Sequence, residues 1–287
     1  MSHLSNYLSL VKFSHTIFAL PFALIGFFIA ITQQNTEINW LTLVYVILCM
    51  VFARSAAMAF NRYIDRDIDE ANERTAKVRE IPNGTIRPKS ALLFVIINSI
   101  LFIVTTYFIN PLCFYLSPIA LFVVLGYSFT KRFTALCHLV LGIGLSLAPI
   151  GAYLAVTGKF DWLPLFFSLA VLFWVSGFDI IYALQDEEFD KQQKLYSIPV
   201  MFGKKNALML SNILHIFTAF FILFAGFYAQ LNITYWIGCA VFIALLIYQH
   251  LIVKPNDLSR VNLAFFTTNG IASVLFASFV LLDLYLN

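Results

Sequence analysis

The sequence carries little charge for its length. Charged residues make up 11% of the 287 residues, whereas hydrophobic residues make up 61%, and the mean hydropathy is +0.85. A typical soluble domain contains about 25% charged residues. A soluble protein of this composition would leave a large apolar surface in water. The composition therefore argues against a soluble all-α protein and predicts an integral membrane protein.

Cysteine and net charge are also scarce. The formal net charge is only +3, and this small excess predicts no nucleic-acid partner. The first apolar run keeps Pro21 and lacks a clear small-x-small site, so no cleavable signal peptide is expected. The four cysteines lie in apolar runs without close pairing, which argues against disulfides or a cysteine metal site. They are Cys49, Cys113, Cys137 and Cys239.

Long apolar runs are what the sequence has in abundance. About 20 apolar residues cross a bilayer as a helix, and backbone polar groups in lipid must be paired within the segment. The sequence therefore predicts an all-α membrane protein of nine transmembrane helices in one domain, residues 1–287. The predicted segments lie near 14–32, 40–60, 90–109, 112–129, 135–157, 162–182, 206–229, 233–252 and 264–285.

The 18 Lys and Arg residues are distributed unevenly about these segments. All but two fall on one side; Lys159 lies on the other side and Arg54 lies within the second segment. Because positive residues stay in the cytoplasm, the N-terminus and the long connections 61–89 and 183–205 are predicted to be cytoplasmic. The protein is then a multi-pass protein of the cell inner membrane or plasma membrane, with the lipid bilayer as its surroundings.

Acidic residues cluster in these two long connections, after helices 2 and 6. In the stretch NRYIDRDID, Asn61, Asp65 and Asp69 are spaced four apart, which places them on one face of a helix. In FDIIYALQDEEFD, Asp186 and Asp190 repeat this spacing. Asp179 and Tyr182 precede them on nearly the same face, so the sequence predicts two acidic stripes facing the same compartment.

Carboxylates on one helix face repel one another unless a cation lies among them. Carboxylate oxygens suit Mg²⁺, which takes one or two carboxylates, several waters and substrate phosphate oxygens. A single D-x-x-x-D at a helix end is usually only solvated, but a second one on the same side favours a shared site. The predicted ligands of Mg²⁺ and a diphosphate are Asn61, Asp65, Asp69, Asp186 and Asp190.

Basic residues accompany the acidic ones. Arg79, Lys131 and Lys12 are predicted to bind diphosphate oxygens, since Arg and Lys donate charge-assisted hydrogen bonds to phosphate. Arg54 lies about two turns inside the second segment, where charge is costly, so it is expected to face a polar interior. A structural salt bridge and substrate binding are both open for Arg54.

The sequence resembles the UbiA-type membrane prenyltransferase superfamily over nearly its whole length. The first superfamily motif, N-D-x-x-D-x-x-x-D, is matched by Asn61-Arg62-x-x-Asp65-x-x-x-Asp69, with Arg62 in place of an aspartate. This replacement is similar to a variant in the 4-hydroxybenzoate polyprenyltransferase-like branch and implies one fewer carboxylate.

Further segments resemble the same superfamily. They are NERTAKVREIPNG at 72–84, YSFTKR at 127–132, SIPVMFG at 197–203, and the D-x-x-x-D of Asp186 and Asp190 preceded by D-x-x-Y-A. The resemblance implies a helix bundle around a central cavity. It implies that Mg²⁺ bridges the aspartates and a polyprenyl diphosphate, whose tail lies in an apolar tunnel open to lipid.

The implied activity is transfer of the polyprenyl group to an aromatic acid in quinone biosynthesis. Asp65, Asp186 and Asp179 are the predicted catalytic residues, and Tyr182 and Arg54 the predicted acceptor-binding or pocket residues. The proton acceptor is either a carboxylate such as Asp179 or the released diphosphate.

The sequence does not choose between two acceptors, 4-hydroxybenzoate for ubiquinone and a dihydroxynaphthoate for menaquinone. Donor chain length and oligomeric state are equally open. A membrane transporter is the alternative from another class. Transporters place coupling residues near the bilayer midplane, whereas these acidic groups lie at helix ends on one face, which disfavours transport.

Overall fold

The structure, a computed structural model, describes residues 3–12 and 18–286 as a helical protein. Between the helices lie connecting segments, among them a 3₁₀ turn at Leu184–Asp186 and a π-helix at Leu263–Thr268. The α-helices are α1 His3–Leu10, α2 Leu20–Gln34, α3 Trp40–Ile64, α4 Arg66–Ala71, α5 Glu73–Ala76, α6 Pro88–Ile109, α7 Pro111–Thr130, α8 Cys137–Thr157, α9 Trp162–Ala183, α10 Glu187–Gln192, α11 Ile198–Tyr228, α12 Ile233–Ile252 and α13 Asn269–Leu286.

The all-helical membrane fold predicted from the sequence is confirmed. Among the described residues, eight helical segments are long and apolar enough to cross a membrane. The 15-residue α2 is a shorter apolar helix that corresponds to the first predicted segment. That segment, 14–32, begins within residues 13–17, which lie outside the described part of the chain.

Local sequence signals set the helix ends. The side-chain oxygens of Asn39, Asn110 and Asp161 accept hydrogen bonds from backbone N–H groups in the first turns of α3, α7 and α9. Pro88 and Pro111 stand at the starts of α6 and α7, where a missing N–H costs nothing. The boundaries are therefore set by capping residues at the ends of the apolar runs.

Helices α2, α9, α12 and α13 share an aromatic core. Phe22, Trp174, Phe242 and Phe276, one from each helix, are fully buried, and their contacting ring centroids lie 5.1–6.3 Å apart. On α7, by contrast, large apolar side chains are exposed, and Phe122 is 79% exposed. An apolar exterior of this kind needs lipid as its solvent, which agrees with an integral membrane protein.

The acidic stripes are not continuous, and this corrects the sequence-based prediction. Helix α3 ends at Ile64, Asp65 leaves helical geometry at φ −89° and ψ 8°, and α4 begins at Arg66. Asn61 and Asp65 still interact one turn apart. Asp69 lies on a separate short helix, however, so its direction is set by the break at Asp65. A straight stripe would hold the two carboxylates on one face, where like charges repel.

The second acidic segment is interrupted in the same way. Helix α9 ends at Ala183, the 3₁₀ turn follows, and Asp190 lies on α10. Both clusters therefore combine a long helix with a short one that carries the last acidic residue of the cluster.

The π-helix before α13 is held by a buried asparagine. The Asn269 side-chain amide donates to the carbonyls of Ala264 and Phe265, each at 3.1 Å. Its oxygen accepts from Trp174 Nε1 at 2.9 Å and from Gln249 Nε2 at 2.7 Å. These four bonds satisfy the amide and stabilise the wide turn that carries Phe265.

Helices α2 and α8 approach most closely at Gly26. A Cβ atom added there would overlap the backbone carbonyl of Pro149, which cannot move without displacing α8. Only glycine fits this contact without a shift of one helix.

We expect Gly26→Ala to lower the free energy of unfolding by about 1–3 kcal/mol, the usual cost of overpacking. Gly126→Ala is the matched control, because nothing lies within 4 Å of the added Cβ in α7. It should be neutral or add up to about 1 kcal/mol through helix propensity. Unfolding of the detergent-solubilised protein measures both, and equal stabilities would contradict the predicted contact.

Candidate active site at the paired acidic loops

Each predicted carboxylate ligand lies beside a basic side chain. The nearest charged nitrogens are 2.5–4.0 Å from the carboxylate oxygens in three of the pairs, and Arg79 contacts Asp69 directly in the fourth. The pairs are Asp65 with Arg132, Asp69 with Arg79, Asp186 with Arg74, and Asp190 with Lys131. The site is therefore a set of ion pairs and not a cluster of carboxylates without counter-charges.

Arg74 joins the two acidic segments. Its Nε and Nη2 lie 3.1 Å and 2.5 Å from the two oxygens of Asp186, 112 residues away in sequence, and its Nη1 donates to the Tyr182 hydroxyl at 3.1 Å. Asn72 Nδ2 adds a 3.3 Å hydrogen bond to Asp186. Burial alone lowers the pKa of Arg74, but the Asp186 carboxylate raises it above its ordinary value, so the guanidinium stays charged. The loops after α3 and α9 thus meet at one end of the bundle.

Lys131 and Arg132 follow α7 and enter the same region. Arg132 Nη2 lies 3.3 Å from Asp65 Oδ1, and Lys131 Nζ lies 4.0 Å from Asp190 Oδ1. Burial raises the pKa of Asp65, and the Lys131 and Arg132 charges oppose part of that rise. The turn after α7 therefore places a positive charge beside one buried carboxylate of each acidic segment.

Asp69 lies among arginines. One of its oxygens pairs with Arg79, whereas its Oδ2 is buried without a hydrogen-bond partner. Arg62, at the position where the resembling motif has an aspartate, is itself buried, and its charge acts on Asp69 and Arg79. The replacement thus removes a carboxylate and adds a buried cation beside Asp69.

The residues fit a hard divalent cation that arrives with a phosphate-bearing ligand. Among the described residues, no group of three His, Cys, Asp or Glu side chains is arranged to hold a metal ion alone. Mg²⁺ needs only one or two protein carboxylates when waters and phosphate oxygens supply the rest. The unpaired Asp69 Oδ2 offers one ligand, and Asn61, whose amide donates to Asp65 Oδ2 at 2.9 Å, keeps its own oxygen for another.

Asp179 and Tyr182 lie beside the acidic cluster on α9. Asp179 Oδ2 is 2.7 Å from His138 Nδ1 on α8. The Tyr182 ring packs on Phe265 of the π-helix, with centroids 4.3 Å apart. The buried Asn269 network thereby supports Tyr182, whose hydroxyl in turn contacts Arg74.

A mostly apolar cavity of about 370 Å³ lies between α3, α6, α7 and α8. Tyr127 on its wall interacts electrostatically with Asp65 and Asp179, so this end of the cavity lies toward the acidic site. Arg54 and Tyr127 line one end, and Ile109 and Phe160 line the other. Arg54 forms no ion pair with any residue that the structure describes, and its Nε is buried without a partner. The structure therefore provides no salt bridge for Arg54 and places it on the cavity wall.

One residue predicted for the site has no described contact with the acidic groups, and two residues near the site were not predicted. Lys12 lies in the turn after α1, and the described contacts do not connect it to the acidic groups, so its role stays a prediction. Arg74 is not among the site residues predicted from the sequence, because nothing in the sequence shows that it pairs with Asp186, 112 residues away. Tyr127 was also missed, although its position one helical turn before Lys131 is a usable signal.

Comparison with known proteins defines the class. The model of the UbiA prenyltransferase family matches residues 19–278. The 4-hydroxybenzoate octaprenyltransferase of Vibrio campbellii is 29% identical over 240 residues, which cover 83% of each chain.

Two solved structures share the fold. The apo structure of a UbiA homolog from Aeropyrum pernix K1 has a TM-score of 0.84 at 29% identity, covering 94% of this chain and 98% of the homolog. A UbiA homolog from Archaeoglobus fulgidus bound to GPP and Mg²⁺ has a TM-score of 0.76 at 24% identity, covering 98% and 99%.

The fold and the paired loops define a helical membrane protein with a charged site at one end of an apolar cavity. The chain belongs to the UbiA prenyltransferase family. The expected family and the expected prenyltransferase class are thereby confirmed.

We expect Arg79→Ala to lower the free energy of unfolding by up to about 3 kcal/mol. Removing one partner of a buried ion pair leaves an uncompensated charge, and Arg79 is only one-fifth exposed while Asp69 is almost fully buried. The double variant Arg79→Ala/Asp69→Asn should recover part of the loss, because it buries no lone carboxylate. Denaturant unfolding measures the cycle, and strictly additive effects would contradict the pairing.

Proposed function

We propose that the protein is a single-domain integral-membrane prenyltransferase that moves a polyprenyl group from a polyprenyl diphosphate to an aromatic acid, with Mg²⁺. The supporting observation is that Arg74 joins the two carboxylate-bearing segments near the Tyr127 end of an apolar cavity, whose wall also carries Arg54. The ion pairs suit the charged diphosphate of the donor, and the apolar cavity suits its polyprenyl tail. We place the site loops in the cytoplasm, on the basis of the uneven Lys and Arg distribution.

The diphosphate head of the donor belongs among the paired charges. Mg²⁺, when bound with it, supplies positive charge that stabilises the departing diphosphate. The residues that would hold the ion are Asn61, Asp65, Asp69, Asp186 and Asp190. Arg79, Lys131 and Lys12 contribute further positive charge to the phosphate oxygens, and Arg74 and Arg132 are added to this set by their positions.

Reaction begins when the allylic C–O bond breaks and its electron pair leaves with the diphosphate. Donors already in place stabilise that developing charge at no cost in reorganisation. The apolar cavity wall excludes water, which would otherwise capture the allylic cation. The electron-rich acceptor ring attacks instead, a C–C bond forms, and the ring carbon releases its proton. We assign Asp179 as the acceptor of that proton.

The acceptor carboxylate belongs near Arg54. Among the described residues this guanidinium has no ion-pair partner, and it lies on the cavity wall. Tyr127 and Tyr182 lie toward the same end of the bundle. The curated relative named 4-hydroxybenzoate octaprenyltransferase favours 4-hydroxybenzoate as the acceptor. A dihydroxynaphthoate also pairs a phenol with a carboxylate, so it is the second candidate.

The proposed donor is of the same chemical class as the ligand of a structural neighbour. The Archaeoglobus fulgidus homolog was solved with GPP and Mg²⁺. At 24% identity this neighbour supports the fold, and transfer of its ligands to this chain is part of the proposal.

We expect Asp65→Asn and Asp186→Asn each to lower kcat by about 100-fold or more. Each removes a negative carboxylate that would hold the Mg²⁺ of the bound diphosphate. The matched control is Asp67→Asn in the same segment, whose side chain is 79% exposed and pairs with the neighbouring Arg66, so it should retain wild-type turnover. The assay measures lipid-soluble product from radiolabelled polyprenyl diphosphate with 4-hydroxybenzoate or a dihydroxynaphthoate, with and without EDTA.

Membrane insertion of all three variants should equal that of the wild type. Full activity of Asp186→Asn, or product formation that EDTA does not reduce, would refute the assigned roles. Ion flux in vesicles without prenyl transfer to any acceptor would favour the transporter.

A further inference from the structure

His138 is a buried polar residue with both ring nitrogens engaged. It stands in the first turn of α8 and is only 3% exposed. Its Nδ1 lies 2.7 Å from Asp179 Oδ2 on α9, and its Nε2 lies 3.3 Å from the backbone nitrogen of Ile198. The ring therefore connects the carboxylate to the first residue of α11.

The contact with Ile198 determines where the imidazole proton lies. A backbone N–H can only donate, so His138 Nε2 must present its lone pair, and the single ring proton of the neutral imidazole lies on Nδ1. That proton points at Asp179. The Ile198 N–H belongs to the first turn of α11, where backbone donors lack partners within the helix and the helix dipole is positive. The helix end therefore fixes the tautomer that donates to Asp179.

Asp179 is held by one oxygen and open at the other. Oδ2 accepts from His138, and the side chain still keeps 23% of its surface exposed. Its charge acts on Tyr127, and Tyr127 lines the end of the cavity together with Arg54. The carboxylate thus lies beside the place proposed for the acceptor ring.

We propose that His138 is a positioning residue for Asp179. Donation from Nδ1 holds one carboxylate oxygen and favours the ionised form, which leaves the other oxygen free to accept a proton. After the C–C bond forms, the ring carbon's proton passes to that free oxygen and the C–H electron pair restores the aromatic ring. His138 keeps its own proton throughout and touches no reacting atom.

This inference rests on the proposed function, since it assigns Asp179 to proton removal. The competing explanation is purely structural: His138 ties α8 to α11 and Asp179 is incidental. The two explanations assign importance to different ring nitrogens. Positioning needs the donor at Nδ1, whereas a helix tie needs the acceptor at Nε2.

Two substitutions separate the nitrogens. His138→Asn places an amide N–H near the position of Nδ1 and loses the contact with Ile198. His138→Gln reaches the position of Nε2, so its oxygen can accept from Ile198 while the donor to Asp179 is lost. Each variant is also combined with Asp179→Asn.

We expect His138→Gln to lower kcat by about 10- to 100-fold, the range for groups that orient a functional side chain, with the KM for the donor within about twofold of wild type. His138→Asn should stay within about threefold of wild-type kcat. In the Asp179→Asn background, His138→Gln should cause no further loss, because its effect acts through Asp179.

Wild-type kcat in His138→Gln, equal losses in Asn and Gln, or a full extra loss on top of Asp179→Asn would each overturn the inference. The last result would mean that His138 acts independently of Asp179. If the wild type itself transfers no prenyl group to any aromatic acid, the proposed function fails and the inference falls with it. An active wild type with an unaffected His138→Gln variant refutes the inference alone.

Discussion

The structure depends on buried carboxylates that are neutralised across two distant segments. An unpaired charge taken out of water costs several kcal/mol, so the acidic residues at the ends of α3 and α9 need cations beside them. Here the cations are the chain's own: Arg74 reaches from the first segment to Asp186 in the second, and Arg132 reaches Asp65 from the end of α7. The pairs bring the two segments to one end of the bundle. A ligand with its own metal and phosphate charges could exchange partners with them.

The remaining features extend from these ion pairs into the helix bundle. The buried amide of Asn269 stabilises the π-helix, Phe265 of that turn supports the Tyr182 ring, and Tyr182 contacts Arg74. The cavity is apolar except at the end that carries Arg54 and Tyr127. A donor with a charged head and an oily tail meets matched surroundings along this direction. The proton-removal site proposed at Asp179 lies toward the Tyr127 end of the cavity.

The membrane helices could be predicted from the sequence because length and hydropathy are local properties. The breaks could not: the spacing of Asn61, Asp65 and Asp69 suits a straight helix, and only tertiary charge pairing shows why the chain turns at Asp65. The partner of Asp186 was equally hidden, since Arg74 is 112 residues away. The sequence contains no signal that places Asp179 and Ile198 on the two ring nitrogens of His138. Candidate residue types are thus predictable, while their partners depend on the fold.

The central claim is that Arg and Lys side chains pair with the carboxylates in the absence of ligand, and that the metal ion binds there together with a diphosphate. Mn²⁺ binding to the purified protein, followed by electron paramagnetic resonance with and without inorganic diphosphate, tests it most directly. Because no three ligands are preassembled among the described residues, Mn²⁺ alone should bind weakly, and diphosphate should tighten its binding by at least about tenfold. Tight binding of Mn²⁺ that is unchanged by diphosphate would contradict the account.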